Sequence, residues 1–150
     1  MNDMTMTRKL LVLCFCIALT ATFGCDGAKG RVAVSGVITV NGEPVPIGSI
    51  NFAPIEGTQG PSGGAKIENG AYTLPAKRGV MPGKYEITIE ASKLSHETYK
   101  NDRTGEDVEG DILVSILPPK YSRDNGNKPE VNLTADVKKG KNKIDFELTD

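Results

Sequence analysis

Few side chains in this sequence could support catalysis. The 150 residues include one histidine, His96, and three cysteines, Cys14, Cys16 and Cys25. Nucleophilic catalysis needs a nucleophile, a base and a group that orients the base, and no recognisable set of this kind surrounds these residues. His96 has no second histidine or nearby cysteine to complete a metal site, so we expect a solvated side chain. The sequence therefore predicts a non-catalytic protein without a cofactor or a metal.

A long segment rich in charged residues lies at 92–111, and its carboxylates are the best candidates for binding a cation. They are Asp102, Glu106, Asp107, Glu109 and Asp111. Their spacing does not match the calcium-loop pattern D-x-[DN]-x-[DN]-G-x₅-E, and Lys100 and Arg103 interrupt them. Because apolar alternation lapses here and Gly105 and Gly110 add flexibility, we expect a long loop, of the kind that is commonly functional or disordered.

The N-terminal segment has the pattern of an export signal. Arg8 and Lys9 precede an apolar run from Leu10 to Leu19, and the chain becomes polar after Cys25. A membrane-spanning helix needs about 20 apolar residues, so this run is too short to remain as a permanent anchor. We predict that residues 1–24 are a signal peptide. Its removal leaves one cysteine and therefore no internal disulfide bond.

The segment Thr22-Phe23-Gly24-Cys25 resembles the cleavage box of bacterial lipoproteins. That resemblance implies a thioether-linked diacylglyceride on Cys25, which makes membrane lipid the first expected partner. Two or three acyl chains would hold the protein stably at a membrane. Residues 25–30 would then form a short tether, and the protein would be exported and anchored at the periplasmic face of a bacterial membrane or at the cell surface. The alternative is an ordinary signal-peptidase cut near Gly24 that leaves Cys25 free or in an intermolecular disulfide.

Beyond residue 30 the apolar side chains recur at every second position, which indicates β-strands. The range 85–91 shows the cleanest alternation, and Asn-Gly pairs at 41–42 and 69–70 favour tight turns. The hydrophobic fraction of 38% and the absence of tryptophan fit a small two-layer β domain. We predict one all-β domain of antiparallel strands over residues 31–150.

Three segments carry more specific expectations. Val32 to Phe52 is predicted to form two antiparallel strands hinged on the first Asn-Gly turn, and Ile112 to Leu117 a central strand, because it is apolar on both faces. Val131 to Leu148 is predicted to close the domain as a hairpin. The lysines of its turn either provide solvation and edge protection or contact anionic lipid or a polyanion. These lysines are Lys138, Lys139, Lys141 and Lys143.

Several short sequence segments resemble those of the carboxypeptidase regulatory-like domain. They are Val34 to Ile38 with Asn41 to Val45, Gly48 to Ile50, Asn69 to Leu74, and Pro82 to Ile87. The resemblance implies an antiparallel β-sandwich of about seven or eight strands, of prealbumin or immunoglobulin-like type. It also implies that the domain has no catalytic activity of its own. Short bacterial lipoproteins built on that module have a similar layout.

Composition and aromatic residues narrow the expected partners. With 18 basic and 19 acidic side chains the formal charge is -1, which disfavours nucleic acid. We expect a binding or scaffold module that contacts an unknown protein of the cell envelope, with glycan binding as the alternative. Glycan sites use exposed aromatic rings, and the assignment of Tyr72 and Tyr85 to the core leaves Tyr99 and Tyr121 as ligand-binding candidates. Tyr121 either packs on the sandwich edge or presents its ring to a ligand.

Overall fold

A computed structural model provides the structure of residues 30–123 and 128–150. The predicted signal peptide at 1–24 and Cys25 lie outside these described residues. The strands are β1 Val34–Val40, β2 Glu43–Pro44, β3 Ile47–Ile55, β4 Gly63–Glu68, β5 Ala71–Leu74, β6 Gly83–Lys100, β7 Asp107–Ser115, β8 Leu133–Val137, β9 Asn142–Lys143 and β10 Phe146–Leu148, with short 3-10 turns at Ala76–Arg78 and Pro119–Tyr121.

The described residues form one connected sheet, and the prediction of an all-β fold is confirmed. The main path of the sheet runs β10-β1-β5-β4-β3-β6-β7, while β2 and β9 pair with β1, and β8 pairs with β6. Every pairing is antiparallel except those of β9 and β10, which run parallel to β1. Two of the ten strands span two residues each, so the remaining eight agree with the expected number.

Alternation places one face of each strand in a common core. The buried side chains of β6 are Tyr85, Ile87, Ile89 and Ala91. Strands β1, β3, β4, β5, β8 and β10 contribute to the same cluster, so the sheet folds over itself in the manner of a β-sandwich. Phe52 lies at the centre, with its ring centroid 6.2 Å from that of Tyr72 and 6.1 Å from that of Tyr85. Both tyrosines therefore belong to the core, as predicted.

The two core tyrosines direct their hydroxyl groups to backbone carbonyls. Tyr85 donates to the carbonyl of Met81, four residues upstream, at 2.8 Å, as in the tyrosine corner of β-sandwiches. Tyr72 donates to the carbonyl of Ile144 at 2.7 Å. Burial raises the pKa of both phenols, and the charge of Asp145 raises that of Tyr72 further. The buried rings thus keep their polar ends hydrogen-bonded.

Both Asn-Gly pairs form the predicted tight turns. Asn41 and Gly42 have φ angles of 51° and 84°, and Asn69 and Gly70 have 50° and 80°. Two successive positive φ angles define a type I′ turn, whose twist matches that of the strands it joins. The hairpin of β4 and β5 follows from the second turn.

The hairpin predicted over Val32 to Phe52 is shorter than expected. After the first turn β2 pairs with β1 over two residues, and the amide of Val45 donates to the carbonyl of Ile38 at 3.1 Å. Strand β3 instead lies between β4 and β6. The pairing cannot continue because Pro44 and Pro46 lack the N–H groups that a ladder requires.

The predicted C-terminal hairpin is wrong. Strand β8 pairs with β6, and β10 pairs with β1, so the turn between them connects two different edges of the sheet. Asn142 holds this turn: its side-chain amide donates to the carbonyls of Lys138 and Gly140, and its side-chain oxygen accepts from the amide of Lys138. Period-two alternation identifies the buried face of a strand but not its neighbour.

The predicted loop at 92–111 is wrong, and so is the central position predicted for the strand at Ile112 to Leu117, of which residues 112–115 belong to β7. Strand β6 continues to Lys100, and β7 begins at Asp107 and lies at the end of the sheet. The side chain of Leu113 is 61% exposed. A strand that is apolar on both faces is therefore not buried on both faces here.

Candidate functional site

The longest hairpin of the fold extends beyond the sandwich. Strand β3 accompanies β6 only as far as the pair Ile47–Ser92, and among the described residues the range 93–100 pairs solely with 107–114. We call this two-stranded ribbon, with its turn at 101–106, the arm. At about 3.3 Å per residue it extends roughly 26 Å past the sheet.

Asn101 organises the turn of the arm. Its backbone amide donates to the carbonyl of Glu106 at 2.9 Å, and its carbonyl accepts from the amide of Gly105 at 2.7 Å. Its side-chain oxygen accepts from the amides of Arg103 and Thr104. The side chain thereby satisfies backbone groups that the short turn would otherwise leave open.

One face of the arm, which we call the outer face because it continues the side of β6 that points away from the core, carries a pair of exposed leucines. Leu94 and Leu113 are cross-strand partners, so their side chains lie on the same face, and they are 59% and 61% exposed. Ile47, 39% exposed, continues this apolar surface on β3. Ile47 and Leu113 line an open groove of about 670 Å³ together with Lys66 and Glu90. We call Leu94, Leu113 and Ile47 the apolar patch.

The inner face of the arm holds Tyr99, one of the two predicted ligand-binding residues. Tyr99 is opposite Val108, and its ring lies 3.4 Å from the position that a Cβ atom on Gly110 would occupy. An aromatic ring over a cross-strand glycine supplies the packing that the glycine lacks. Tyr99 is nevertheless 44% exposed, and Ile112 and Val114 continue the apolar character of this face toward the core.

The structure does not bring the second candidate, Tyr121, to Tyr99. Tyr121 ends the 3-10 turn Pro119–Tyr121 and packs, half-buried, against the core. The ammonium group of Lys120 lies 5.3 Å from the centre of its ring. Tyr99, in contrast, is seven residues, or about 23 Å, along the strand from Ser92. The two rings therefore do not form a shared aromatic surface.

His96 pairs with one carboxylate of the arm. Its Nδ1 atom lies 3.1 Å from Oδ1 of Asp111, its cross-strand partner, and the two side chains are 68% and 67% exposed. Within the described ranges no three histidine, cysteine, aspartate or glutamate side chains are placed to hold a metal ion.

The membrane-related predictions concern residues beyond the structure. Cys25, the predicted acylation site, precedes Gly30, where the described chain begins. In the described part of the chain, no helix has the length and apolar character needed to cross a bilayer.

A sequence signal for the arm exists but is weak. Val108, Ile112 and Val114 alternate with Glu109 and Asp111, which is the period of a strand. The many charged residues between 97 and 111 make this alternation difficult to recognise in the sequence. On the opposite strand the apolar residues fall on different faces, because Leu94 and Tyr99 are five positions apart.

Comparisons with known proteins give little further information. No family model matches the sequence, and no curated protein matches it. One solved structure with a detectable likeness is a 9R-lipoxygenase from Cyanothece PCC8801, with 16% sequence identity and a TM-score of 0.28. The likeness covers 95% of this chain and 20% of the lipoxygenase chain.

Proposed function

We propose that this protein is a bacterial lipoprotein, exported and anchored through acylated Cys25, that binds a protein of the cell envelope with its arm. The observation that carries the proposal is the pair Leu94 and Leu113, which lies exposed on a ribbon with no other strand beside it among the described residues. Burying a leucine side chain contributes about 1.5–3 kcal/mol, so a partner that covers the pair gains appreciable affinity.

The construction of the arm supports a protein partner. An isolated two-stranded ribbon is marginally stable in water, and a third strand or a packed surface would stabilise it. Among the described residues β7 pairs only with β6, so its other edge can accept an extended segment of another protein. The partner we propose therefore lies along β7 and covers the apolar patch.

We further propose that the protein has no catalytic activity. The His96–Asp111 pair is exposed, and the sequence offers no second histidine beside it. The all-β sandwich also supports assignment to the carboxypeptidase regulatory-like domains, whose turn sequences this chain resembles. In that family the domain is an accessory unit.

Glycan binding remains the second candidate because Tyr99 is 44% exposed. One aromatic platform supports stacking on a sugar ring, while Tyr121 is packed against the core. The variant Tyr99→Ala separates the two functions. Loss of saturable sugar binding in this variant would favour the glycan, whereas retained capture of a protein would favour the apolar patch.

The decisive experiment is photo-crosslinking in the producing cells. A photoreactive residue at Leu94 or at Leu113 should yield the same adduct with one envelope protein. A matched probe at Glu147, exposed on β10, should not. The variant Leu94→Ser/Leu113→Ser should lose the adduct from a probe at Ile47, with an unchanged melting temperature because both leucines are exposed. Adducts with a random set of proteins would contradict the proposal.

Acylation is tested on the protein purified from the producing cells. Intact mass should show loss of residues 1–24 and addition of acyl chains to Cys25, and Cys25→Ser should remove that addition. A mass that corresponds to an ordinary cut with an unmodified cysteine would overturn the anchor.

A further inference from the structure

The described chain begins at one end of the sandwich, which we call the proximal end. The amide of Val32 donates to the carbonyl of Val80 at 2.8 Å, and the amide of Asn142 donates to the carbonyl of Ala33 at 3.1 Å. The incoming chain therefore lies between the 3-10 turn at 76–78 and the turn that follows β8. Strand β6 also begins here, at Gly83 opposite Val137, the last residue of β8.

Basic side chains surround the incoming chain at the proximal end. The turn after β8 exposes four lysines, Lys138, Lys139, Lys141 and Lys143. On the other side of the chain, Lys77 and Arg78 are exposed, and Arg31 donates to the carbonyl of Lys77 at 3.5 Å. Both turns thus present positive charge next to the start of the described chain.

The acids of this end neutralise only part of that charge. Glu56 pairs with Lys84, and Asp145 lies 3.3 Å from Lys143. Asp136 is exposed on β8. Among the described residues, no ion pair involves the three lysines nearest the tip of the turn. We call Lys138, Lys139 and Lys141 the lysine cluster.

The backbone of the turn keeps the lysine cluster in place. Asn142 bonds to the backbone of Lys138 and Gly140, and its own amide is bonded to Ala33. The position of the lysines relative to the incoming chain is therefore fixed by hydrogen bonds. Little ordering of the backbone is needed when the cluster contacts a charged surface.

The length of the tether determines what the lysine cluster can reach. From Cys25 to Gly30 the extended chain spans at most about 17 Å. The tether carries one acid, Asp26, and one base, Lys29, so it adds no net charge. An acyl chain at Cys25 would hold the proximal end within a few Debye lengths, each about 8–10 Å, of the lipid headgroups.

We propose that the proximal end docks on anionic lipid headgroups through the lysine cluster and that this contact holds the arm away from the membrane. The orientation rests on the proposed acylation of Cys25. Strand β6 runs 18 residues from the proximal end to the arm turn, about 59 Å. The outer strand of the arm carries Asp107, Glu109 and Asp111, which an anionic surface repels. Attraction at one end and repulsion at the other favour the same upright orientation.

The test uses the acylated protein, purified and reconstituted into vesicles of phosphatidylcholine with or without phosphatidylglycerol. A fluorophore on Asp102→Cys, in the arm turn, reports energy transfer to an acceptor on the headgroups. Transfer should be lower on the anionic vesicles, since the arm stands farther from the surface. The difference should vanish in K138Q/K139Q/K141Q and in high salt. The matched control K93Q/K100Q/R103Q removes the same charge from the arm and should keep the difference.

Two results would overturn the orientation: equal transfer on both kinds of vesicle in the otherwise unchanged protein, or a difference that persists in the lysine-cluster variant. Intact mass is measured first, so a failed anchor is recognised separately. If Cys25 is not acylated, the processed chain is sedimented with anionic vesicles. At about 1 kcal/mol per lysine, the triple variant should then bind on the order of 100-fold more weakly. Equal binding of the unchanged chain and the triple variant would show that the lysine cluster does not contact lipid.

Discussion

The C-terminal segment is held in place by a few individual residues. The carbonyl of Ile144 accepts the hydroxyl of Tyr72 and occupies space that a side chain at position 36 would need, because a Cβ on Gly36 would lie 1.8 Å from it. The next residue, Asp145, accepts a hydrogen bond from the amide of Val37 at 2.8 Å. Glycine is thus required at position 36 for close approach, and the neighbouring groups fix the register of the last strands.

Asp145 should make stability depend on acid pH. The hydrogen bond from the amide of Val37, with a smaller contribution from Lys143, lowers the pKa of its carboxyl group. Because the folded-state pKa is below the unfolded value of about 3.9, this stabilisation is present above pH 4 and is lost as the pH falls through the folded-state pKa. Asp145→Asn should therefore show a shallower fall in the free energy of unfolding between about pH 4 and 2. Urea unfolding across that range measures it, and an unchanged slope would contradict the assignment.

The arm and the sandwich differ in how their strands are stabilised. Within the sandwich, β6 pairs with β3 over 84–92 and with β8 over 83–87 and has one buried face. In the described structure the arm, in contrast, has one pairing and no residue in the buried core. Local stability depends on buried apolar contacts and on hydrogen bonds protected from solvent. The arm is therefore expected to open without unfolding the rest of the domain.

Hydrogen exchange should separate these two parts of β6. Amides of 93–100 that bond to β7 should exchange through local opening, with little dependence on low urea concentrations. Amides of 85–91 should exchange only through global unfolding, with a free energy equal to that from urea denaturation. Equal protection along the entire strand in the isolated protein would show that the arm is part of the cooperative unit. Addition of the partner should raise protection in the arm first.

At the scale of the whole molecule, strand β10 completes the sheet beside β1, and the two ends of the molecule carry opposite charge. Parallel pairing of β10 with β1 places Leu148 in the core, fully buried. The topology also gathers lysines at the proximal end and acids along the outer strand of the arm. A formal net charge of -1 therefore conceals opposite charges at the two ends of the molecule.

Shortening the side chain of Leu148 tests how much the pairing of β10 with β1 stabilises the fold. Leu148→Ala should lower the free energy of unfolding by about 2–5 kcal/mol, because it removes a buried side chain and leaves a cavity. Thr149→Ala, an exposed neighbour, should change it by less than about 0.5 kcal/mol. Urea denaturation of the three proteins provides the comparison. A loss below about 1 kcal/mol for Leu148→Ala would indicate that β10 is not required for closure.

The sequence alone determined the all-β class, both Asn-Gly turns and the core positions of Tyr72 and Tyr85. Period-two alternation and the preference of Asn-Gly for positive φ angles depend only on residues that are neighbours in the chain. Tertiary structure alone decided the neighbours: β8 beside β6, β10 beside β1, and β7 at the edge. Pairing depends on contacts between residues far apart in the chain, and Ile112 to Leu117 reads the same at an edge as in the centre of a sheet. The arm and the charged ends follow from that pairing, since the spatial grouping of side chains is set by topology rather than by composition.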